Sequence, residues 1–196
     1  VFHPRDRQAM RQKLGISADA KLVVYVGRLV ESKGLRELLA AFAALSGSDP
    51  SLQLALVGEG VMREELDHRV QAAGLQQRVV MPGGMEPRQV AEWICASDLL
   101  TLPSWSEGYP NVVVEALACG VPVVATDVGG TREIIDERNG LLIPPRDESV
   151  LAQALSQALS HPWDHAAIAA SMSRTWDDVA RETLDVCEQA LAVRRR

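Results

Sequence analysis

The sequence predicts an α/β fold, a doubly wound parallel sheet of six strands with helices on both faces and a helical C-terminus. Short apolar runs alternate with segments whose apolar residues recur at helical spacing. Each run is apolar enough to be buried on both faces, which is typical of strands in a parallel sheet. After Pro145 the pattern becomes wholly helical. Together these observations indicate a Rossmann-like domain.

The predicted elements follow one another from Lys21 onward. The strands, in chain order, are LVVYVG, LQLALVG, RVVMPG, DLLTLP, VPVVAT and GLLIP. Amphipathic spacing predicts helices over Glu37 to Leu45, Met62 to Ala73, Val150 to Leu159 and Asp177 to Val193. A further helix is predicted to begin near Pro110, which suits a first helical turn, and to stop at Gly120. Because the carboxyl ends of parallel strands share one edge of the sheet, we expect ligand-binding residues there.

Length and composition are those of a single well-cored domain, with 196 residues, 47% of them hydrophobic and 23% charged. The formal net charge of -6 argues against a nucleic-acid partner, because such a surface needs clustered Lys and Arg. Cys95, Cys119 and Cys187 form no CxxC pair, so we expect neither a disulfide framework nor a cysteine zinc site. A reducing cytoplasm fits this pattern.

The chain is predicted to have three parts. Residues 1–20 are interpreted as a linker and a short helix from an absent N-terminal domain, and residues 21–160 as a Rossmann-like ligand-binding domain. Residues 161–196 are expected to form C-terminal helices that pack on this domain or cross from it. The first residue is Val1, so we expect the chain to come from a longer polypeptide.

Two cations follow the first strand in the string GRLVESKG. Gly27 allows a close approach of the backbone to a ligand, and Arg28 with Lys33 beside a helix start supplies the groups that a diphosphate requires. A strand-to-helix turn with solvated charges explains the string equally well.

The second strand ends in VGEG, which contains Gly58 and opens like a dinucleotide fingerprint. Arg63 stands where the third glycine belongs, and the next strand, RVVMPGG, brings no acidic residue for a ribose. We therefore do not expect a nicotinamide dinucleotide, and a tight turn is as good an interpretation as a ligand contact.

The stretch SWSEGYPNVVVEALACG follows the fourth strand and carries the most information. A helix starting near Pro110 would direct free backbone N–H groups of Asn111, Val112 and Val113 outward, as a cradle for a diphosphate.

Two glutamates bracket this cradle. Glu115 lies in an otherwise apolar segment, where a carboxylate is costly unless paired, so we expect it to accept hydrogen bonds from a ribose diol. Glu107, in the preceding loop, is placed to hold a sugar hydroxyl. The alternatives are an internal salt bridge for Glu115 and a merely solvated Glu107.

The remaining polar motifs are less specific. The loop DVGGTREII lines the same crevice or is a plain turn. His161 and His165 have helical spacing, but Pro162 intervenes, and neither HExxH nor DxD occurs. We therefore expect no metal site, and assign neutralisation of a diphosphate to the cations and the helix N-terminus.

The strings GRLVESKG, VGEG and EGYPNVVVEALACGVPVVATDVGG, with the leading FHPRDR, together resemble the C-terminal, nucleotide-sugar-binding domain of the family 4 glycosyltransferases. The resemblance covers nearly the whole chain. It implies a GT-B enzyme of two Rossmann-like domains, in which an N-terminal domain of the same polypeptide binds most of the acceptor.

The resemblance also implies residue roles. Arg28 and Lys33 bind the donor diphosphate and stabilise the leaving nucleotide, Glu115 binds the ribose, and Glu107 contacts the transferred sugar. Met81, Pro82 and Gly83 edge the base; the family often has Phe where Met81 stands, and Met fills the same apolar space. The remaining implied donor-binding residues are Gly27, Gly58, Gly108, Tyr109, Pro110, Asn111 and Val112.

The implied activity is that of a metal-independent, retaining hexosyltransferase that needs no cofactor and takes its sugar from UDP or GDP. We expect the isolated chain to bind donor with little turnover. Glu107 is left as either a nucleophile or a positioning residue. The implied setting is glycoconjugate biosynthesis in the cytoplasm or at the inner membrane face, with a lipid-linked acceptor reached through the missing domain. The alternatives are a non-catalytic nucleotide-sugar-binding module and a sugar-nucleotide epimerase of the related fold.

Overall fold

The computed structural model describes residues 1–172 and 176–194, so part of the predicted C-terminal segment lies outside the described residues. The strands are β1 (Lys21–Val26), β2 (Leu52–Val57), β3 (Val79–Gly83), β4 (Leu99–Leu102), β5 (Val123–Thr126) and β6 (Gly140–Ile143). The helices are α1 (Arg7–Leu14), α2 (Leu35–Ser46), α3 (Arg63–Ala72), α4 (Pro87–Ala96), α5 (Asn111–Ala118), α6 (Thr131–Ile134), α7 (Glu148–Ser160), α8 (His165–Ser171) and α9 (Trp176–Arg194). A short 3-10 helix, Glu31–Lys33, precedes α2.

The six strands form one parallel sheet in the order β3-β2-β1-β4-β5-β6. Val23 on β1 pairs with Leu54 on one side and Leu99 on the other. The chain therefore starts at the centre and winds outward in both directions, which confirms the doubly wound prediction. The winding reverses between β1 and β4, and the crevice at this switch point is where such folds bind ligands.

The central strands are buried on both faces, as their continuous apolar sequences predict. Leu22, Val24 and Tyr25 of β1 are fully buried, and every residue of β4 is buried. Helix α2 contributes Leu35, Leu38 and Phe42 to the same core and packs beside α7. Complete burial of each large apolar side chain stabilises the fold by about 1.5–3 kcal/mol.

Helix α5 lies close to its predicted bounds at both ends. Pro110 is extended, with ψ at 95°, and caps the helix, which begins one residue later at Asn111. The helix ends at Ala118, before Gly120, which has a positive φ of 76°. The N–H groups of Gly120 and Val121 donate to the carbonyls of Leu117 and Ala116, and this closure ends the helix at the predicted glycine.

The segment before β1 is attached to the sheet domain through α1, which packs on α4. Arg11 is buried and donates from Nη2 to Asp98 Oδ2 at 2.6 Å, and Arg7 donates to Asp98 Oδ1 at 3.0 Å. We call these three residues, at the amino ends of β1 and β4, the amino-end cluster. Within the described ranges, no helix is both long and apolar enough to cross a membrane.

Candidate functional site

The loops that follow β1 and β4 meet at the switch point of the sheet. The backbone N–H of Trp105 donates to the carbonyl of Ser32 at 2.8 Å. A Cβ at Gly34 would overlap the carbonyl oxygen of Pro103, and the φ of Gly34 is 67°, so only glycine allows this approach. Lys33, between Ser32 and Gly34, is thereby held against the β4 loop.

Lys33 and Glu107 form an ion pair across this contact. Lys33 Nζ lies 2.5 Å from Glu107 Oε1, and the side chains are only 17% and 11% exposed. Glu107 is therefore not merely solvated, which the sequence left open. A pair so shielded from water is screened less by salt than a surface pair, so Lys33 is held in place.

Arg28 follows β1 with an exposed side chain, and its guanidinium has no hydrogen bond or ion pair to any described residue. The backbone of Arg28 is restrained from the side of the sheet core, because the buried hydroxyl of Tyr25 donates to the Arg28 carbonyl at 2.8 Å. Burial raises the pKa of Tyr25, and the negative charge of Glu107 raises it further, so the hydroxyl stays protonated as a donor. Sequence reasoning missed Tyr25, although a phenol in an apolar strand needs a partner.

The N-terminus of α5 presents two donors. Among the described residues, the backbone N–H groups of Asn111 and Val112 have no acceptor. The prediction of a third free donor is wrong, because the N–H of Val113 donates to the carbonyl of Pro110 at 3.0 Å. This bond tightens the first turn and leaves a cradle of two N–H groups.

Glu115 lies half-buried on α5, and its carboxylate makes no hydrogen bond or ion pair with any part of the chain that the structure describes. The predicted alternative of an internal salt bridge is therefore wrong for these residues. Burial raises the pKa of this carboxyl. A carboxylate kept in such surroundings without a partner is available to an external donor, such as a sugar hydroxyl.

The loop after β5 supports Glu107. The N–H of Gly130 donates to the Gly108 carbonyl at 2.7 Å, and a Cβ at Gly129 would overlap the Glu107 carbonyl. Gly129 has a positive φ of 55°, so both its conformation and the contact require glycine. From the sequence this loop was interpreted as part of the crevice lining or as a plain turn. In the structure it supports the backbone of Glu107 and Gly108.

The loops after β2 and β3 lie beside the β1 loop. Gly58 abuts Gly27 so closely that a Cβ at Gly58 would overlap the Gly27 carbonyl. The half-buried Met81 is held through its carbonyl, which accepts a hydrogen bond from Arg63 Nη2 at 2.7 Å. Arg63, which stands where a dinucleotide fingerprint has glycine, thus anchors the end of β3, where the predicted base contact, Met81 to Gly83, lies.

The rest of the predicted stretch lies at the rim. Tyr109 is a large apolar side chain that is 59% exposed, Gly108 is exposed, and Pro110 is buried. The switch point thus gathers cations, two backbone donors and two carboxylates along one edge of the sheet. Cations and N–H groups are partners for phosphate oxygens, and an unpaired carboxylate is a partner for hydroxyl groups.

Residues 6–176 match the sequence profile of the family described as Glycosyl transferases group 1. The chain belongs to this family. A curated relative of this group 1 domain, the D-inositol 3-phosphate glycosyltransferase of Xylanimonas cellulosilytica, is 34% identical over 194 residues, covering 94% of this chain and 46% of the relative. The chain spans less than half the length of that relative.

Solved structures agree with the group 1 assignment. HepE of Anabaena, in complex with UDP and glucose, has a TM-score of 0.81 at 26% identity, over 96% of this chain and 53% of that chain. The C-terminal domain of the group 1 glycosyl transferase LpcC of Francisella tularensis has a TM-score of 0.75 at 26% identity, over 93% of this chain and 96% of that one. The group 1 domain therefore has the Rossmann-like architecture of the GT-B fold.

Two other features of the group 1 domain lie apart from the switch point. Among residues 1–172 and 176–194, no three His, Cys, Asp or Glu side chains are grouped to hold a metal ion. His161 contacts the Trp163 ring at 4.2 Å, and His165 Nδ1 lies 2.8 Å from the Gly120 carbonyl. A surface groove of about 640 Å³ runs between α2 and α7, and its lining includes none of the predicted site residues.

Proposed function

We propose that this chain is the donor-binding half of a retaining glycosyltransferase that takes a nucleoside-diphosphate sugar. One observation carries the proposal. At the switch point the Arg28 guanidinium, the N–H groups of Asn111 and Val112, and the Glu115 carboxylate all lack partners among the described residues. Unpartnered groups of both kinds, side by side, fit a ligand with anionic phosphates and neutral hydroxyls.

In this proposal Arg28, Lys33 and the start of α5 bind the diphosphate, and Glu115 accepts hydrogen bonds from the ribose. Glu107 contacts the transferred sugar. The end of β3, from Met81 to Gly83, edges the base. The similarity to HepE, solved with UDP and glucose, supports a uridine nucleotide as the first ligand to test.

The chemical step is transfer with retention. The bond between the sugar anomeric carbon and the phosphate oxygen breaks, and its electron pair stays on the departing diphosphate. The acceptor hydroxyl oxygen bonds to the anomeric carbon on the same face, and its proton passes to the departing phosphate oxygen. Arg28, Lys33 and the α5 N–H groups stabilise the charge that develops on the diphosphate, which is the role proposed for them in place of a metal.

The acceptor belongs to a partner domain in this proposal. Because the curated relatives are about twice as long, we propose that an N-terminal domain of the same polypeptide supplies most acceptor contacts. We further propose a cytoplasmic enzyme that works at the inner membrane face on a lipid-linked acceptor, in glycoconjugate biosynthesis.

Calorimetric titration of this chain with UDP, GDP and ADP tests donor binding. We expect at least one of them to bind, and Lys33→Ala or Glu115→Ala to weaken binding by about ten-fold, because each removes a charge-assisted contact. Lys21→Ala is the matched control, since Lys21 also makes an ion pair, with Asp49 at 2.8 Å, but at the opposite end of β1. Binding of none of the three, or an equal loss in the Lys21 variant, contradicts the proposal.

The full polypeptide tests catalysis. We expect sugar transfer with retained anomeric configuration, measured by proton NMR, unaffected by EDTA and lost in Glu107→Ala. Tight binding without transfer or hydrolysis would instead identify a non-catalytic module. Isomerisation of the nucleotide sugar without acceptor would identify an epimerase.

A further inference from the structure

Trp105 occupies the junction between the two loops that carry Lys33 and Glu107. Its backbone N–H donates to Ser32, as described above, and its indole Nε1 donates to Glu37 Oε1 at 3.0 Å. Glu37 lies in the first turn of α2. The indole therefore links the β4 loop to helix α2, which begins two residues after Lys33.

The two ends of this link bracket the Lys33–Glu107 ion pair. Ser32 and Glu37 lie on either side of Lys33 along the chain, and Trp105 lies two residues before Glu107. The position of one ion-pair partner relative to the other is thus determined by the bonds that Trp105 makes. In their absence, the close contact of Gly34 with Pro103 and the ion pair itself would still join the two loops.

Two features show that this junction is maintained at a cost. Glu37 Oε2 is buried and has no hydrogen-bond partner among the described residues, which is unfavourable for a carboxylate oxygen. Arg146 places its guanidinium 4.2 Å from the centre of the Trp105 ring. Arg146 also has a φ of 63°, a left-handed conformation that no other described non-glycine residue adopts.

We propose that Trp105 is a positioning residue that, through Glu37 and under Arg146, sets the place of Lys33 against Glu107 and presents the Lys33 ammonium to the donor diphosphate. Arg146 restrains the indole ring by a cation–π contact, and Glu37 fixes its edge. The inference rests on the proposed function for the ligand, whereas the placement of Lys33 can be measured without one.

Amine acetylation read by mass spectrometry measures that placement. The sequence contains only three lysines, Lys13, Lys21 and Lys33, so two serve as internal references. Lys13 and Lys21 are 58% and 51% exposed, against 17% for Lys33, so we expect Lys33 to react slowest in the unaltered chain. In Trp105→Phe an aromatic ring remains, but it is smaller than the indole and lacks the Nε1 donor. We expect Lys33 to react about five-fold faster in this variant, and Lys13 and Lys21 to react at unchanged rates.

Trp163→Phe is the matched control. It removes an indole hydrogen bond of the same kind, from Trp163 Nε1 to the Ala158 carbonyl at 2.8 Å, in the C-terminal helices. We expect no change at Lys33 in this variant. Glu37→Gln keeps an acceptor for the indole and should leave Lys33 slow, whereas Glu37→Met should accelerate it as Trp105→Phe does.

UDP titration of the same variants separates this inference from the proposed function. We expect about five-fold weaker UDP binding in Trp105→Phe and Glu37→Met, and unaltered binding in Trp163→Phe and Glu37→Gln. If the unaltered chain binds no nucleoside diphosphate, both proposals fail. If it binds, but the Lys33 rate and the UDP affinity are the same in all variants, only the positioning role is overturned. If Trp105→Phe fails to fold, Glu37→Met removes the same hydrogen bond, and its Lys33 acetylation rate and UDP affinity test the positioning role instead.

Discussion

Strands β1 and β4 carry a charged cluster at each end, and the two clusters differ in how their polar groups are satisfied. In the amino-end cluster, all three guanidinium nitrogens of Arg11 donate, to the carbonyls of Ala96 and Ala18 and to Asp98. Asp98 also accepts from Arg7 and, at 2.7 Å, from the N–H of Leu22. Every one of these partners belongs to the chain itself.

The cluster at the carboxyl end, formed by Arg28, Lys33, Glu107 and Glu115, contains one internal pair and two groups without a described partner. Of these two, Glu115 is half-buried, and a carboxylate in such surroundings is costly when unsatisfied, so a fold retains it where an external partner completes it. The charges of the amino-end cluster thus stabilise the domain, whereas those at the carboxyl end are available to a ligand. This difference predicts opposite effects of substitutions at the two ends.

The largest expected effect is on stability at the amino end. Arg11→Ala removes a buried guanidinium, takes one of its three donors from Asp98 and takes the Arg11 donor from the carbonyls of Ala96 and Ala18, so we expect the free energy of unfolding to fall by about 3 kcal/mol. Urea denaturation measures it, and UDP affinity of the folded variant should be unaltered. A stability equal to that of the unaltered chain would contradict the structural role of this cluster.

A glycine tests the support behind Glu107. In Gly129→Ala the added Cβ overlaps the Glu107 carbonyl at a positive φ, so the loop must shift. We expect UDP affinity to fall by at least about ten-fold and the free energy of unfolding by about 2 kcal/mol. Calorimetry and urea denaturation measure the two effects. Gly47→Ala, where the Cβ meets only the Ala44 carbonyl at 4.0 Å, is the control, and equal behaviour of both variants would refute the support role.

Arg28→Ala reverses the pattern of Arg11→Ala. Because the Arg28 side chain has no partner in the described chain, we expect the free energy of unfolding to change by less than about 0.5 kcal/mol. UDP affinity should fall by about ten-fold, through loss of a charge-assisted contact to the diphosphate. Arg88→Ala, at another exposed arginine, should alter neither quantity. A stability loss without an affinity loss would place Arg28 with the structural charges.

The smallest effect concerns Glu115 and depends on pH. Burial raises its pKa above the 4.5 of an ordinary glutamate. At pH values between 4.5 and the raised pKa, the carboxyl is therefore still protonated in the folded chain but has lost its proton in the unfolded chain. The contribution of Glu115 to stability therefore falls as pH rises through this range. We expect Glu115→Gln to be more stable than the unaltered chain at pH 7 and equally stable at pH 4, as measured by urea denaturation. A stability gain that is the same at both values would contradict a strained carboxylate, and Glu133→Gln, at an exposed glutamate, is the control.

The fold could be predicted almost completely, because burial on both faces gives each strand a continuous apolar run. The hydrogen bonds at the ends of helix α5 were harder to predict. The stop of α5 was predictable because Gly120 marks it, whereas the loss of a free N–H at Val113 depends on a bond to Pro110 that apolar spacing does not report.

The candidate site was predictable where a residue contrasts with its own neighbours. Glu115 is conspicuous within an apolar helix, and Arg28 and Lys33 are conspicuous after a strand. The roles of Trp105 and Gly129 were not predictable in this way. Each depends on a contact between loops of different strands, and the pairing of β4 with β1 and β5 is not contained in any local pattern.

The most direct test of the account is to titrate the isotopically labelled chain with UDP and follow backbone amide resonances by NMR. We expect large shifts at Asn111 and Val112, whose N–H groups have no acceptor among the described residues, and at Arg28. We expect none at Leu22, whose N–H is already bonded to Asp98 at the other end of β1. Shifts confined to the amino end, or spread evenly over the chain, would contradict a donor site at the switch point.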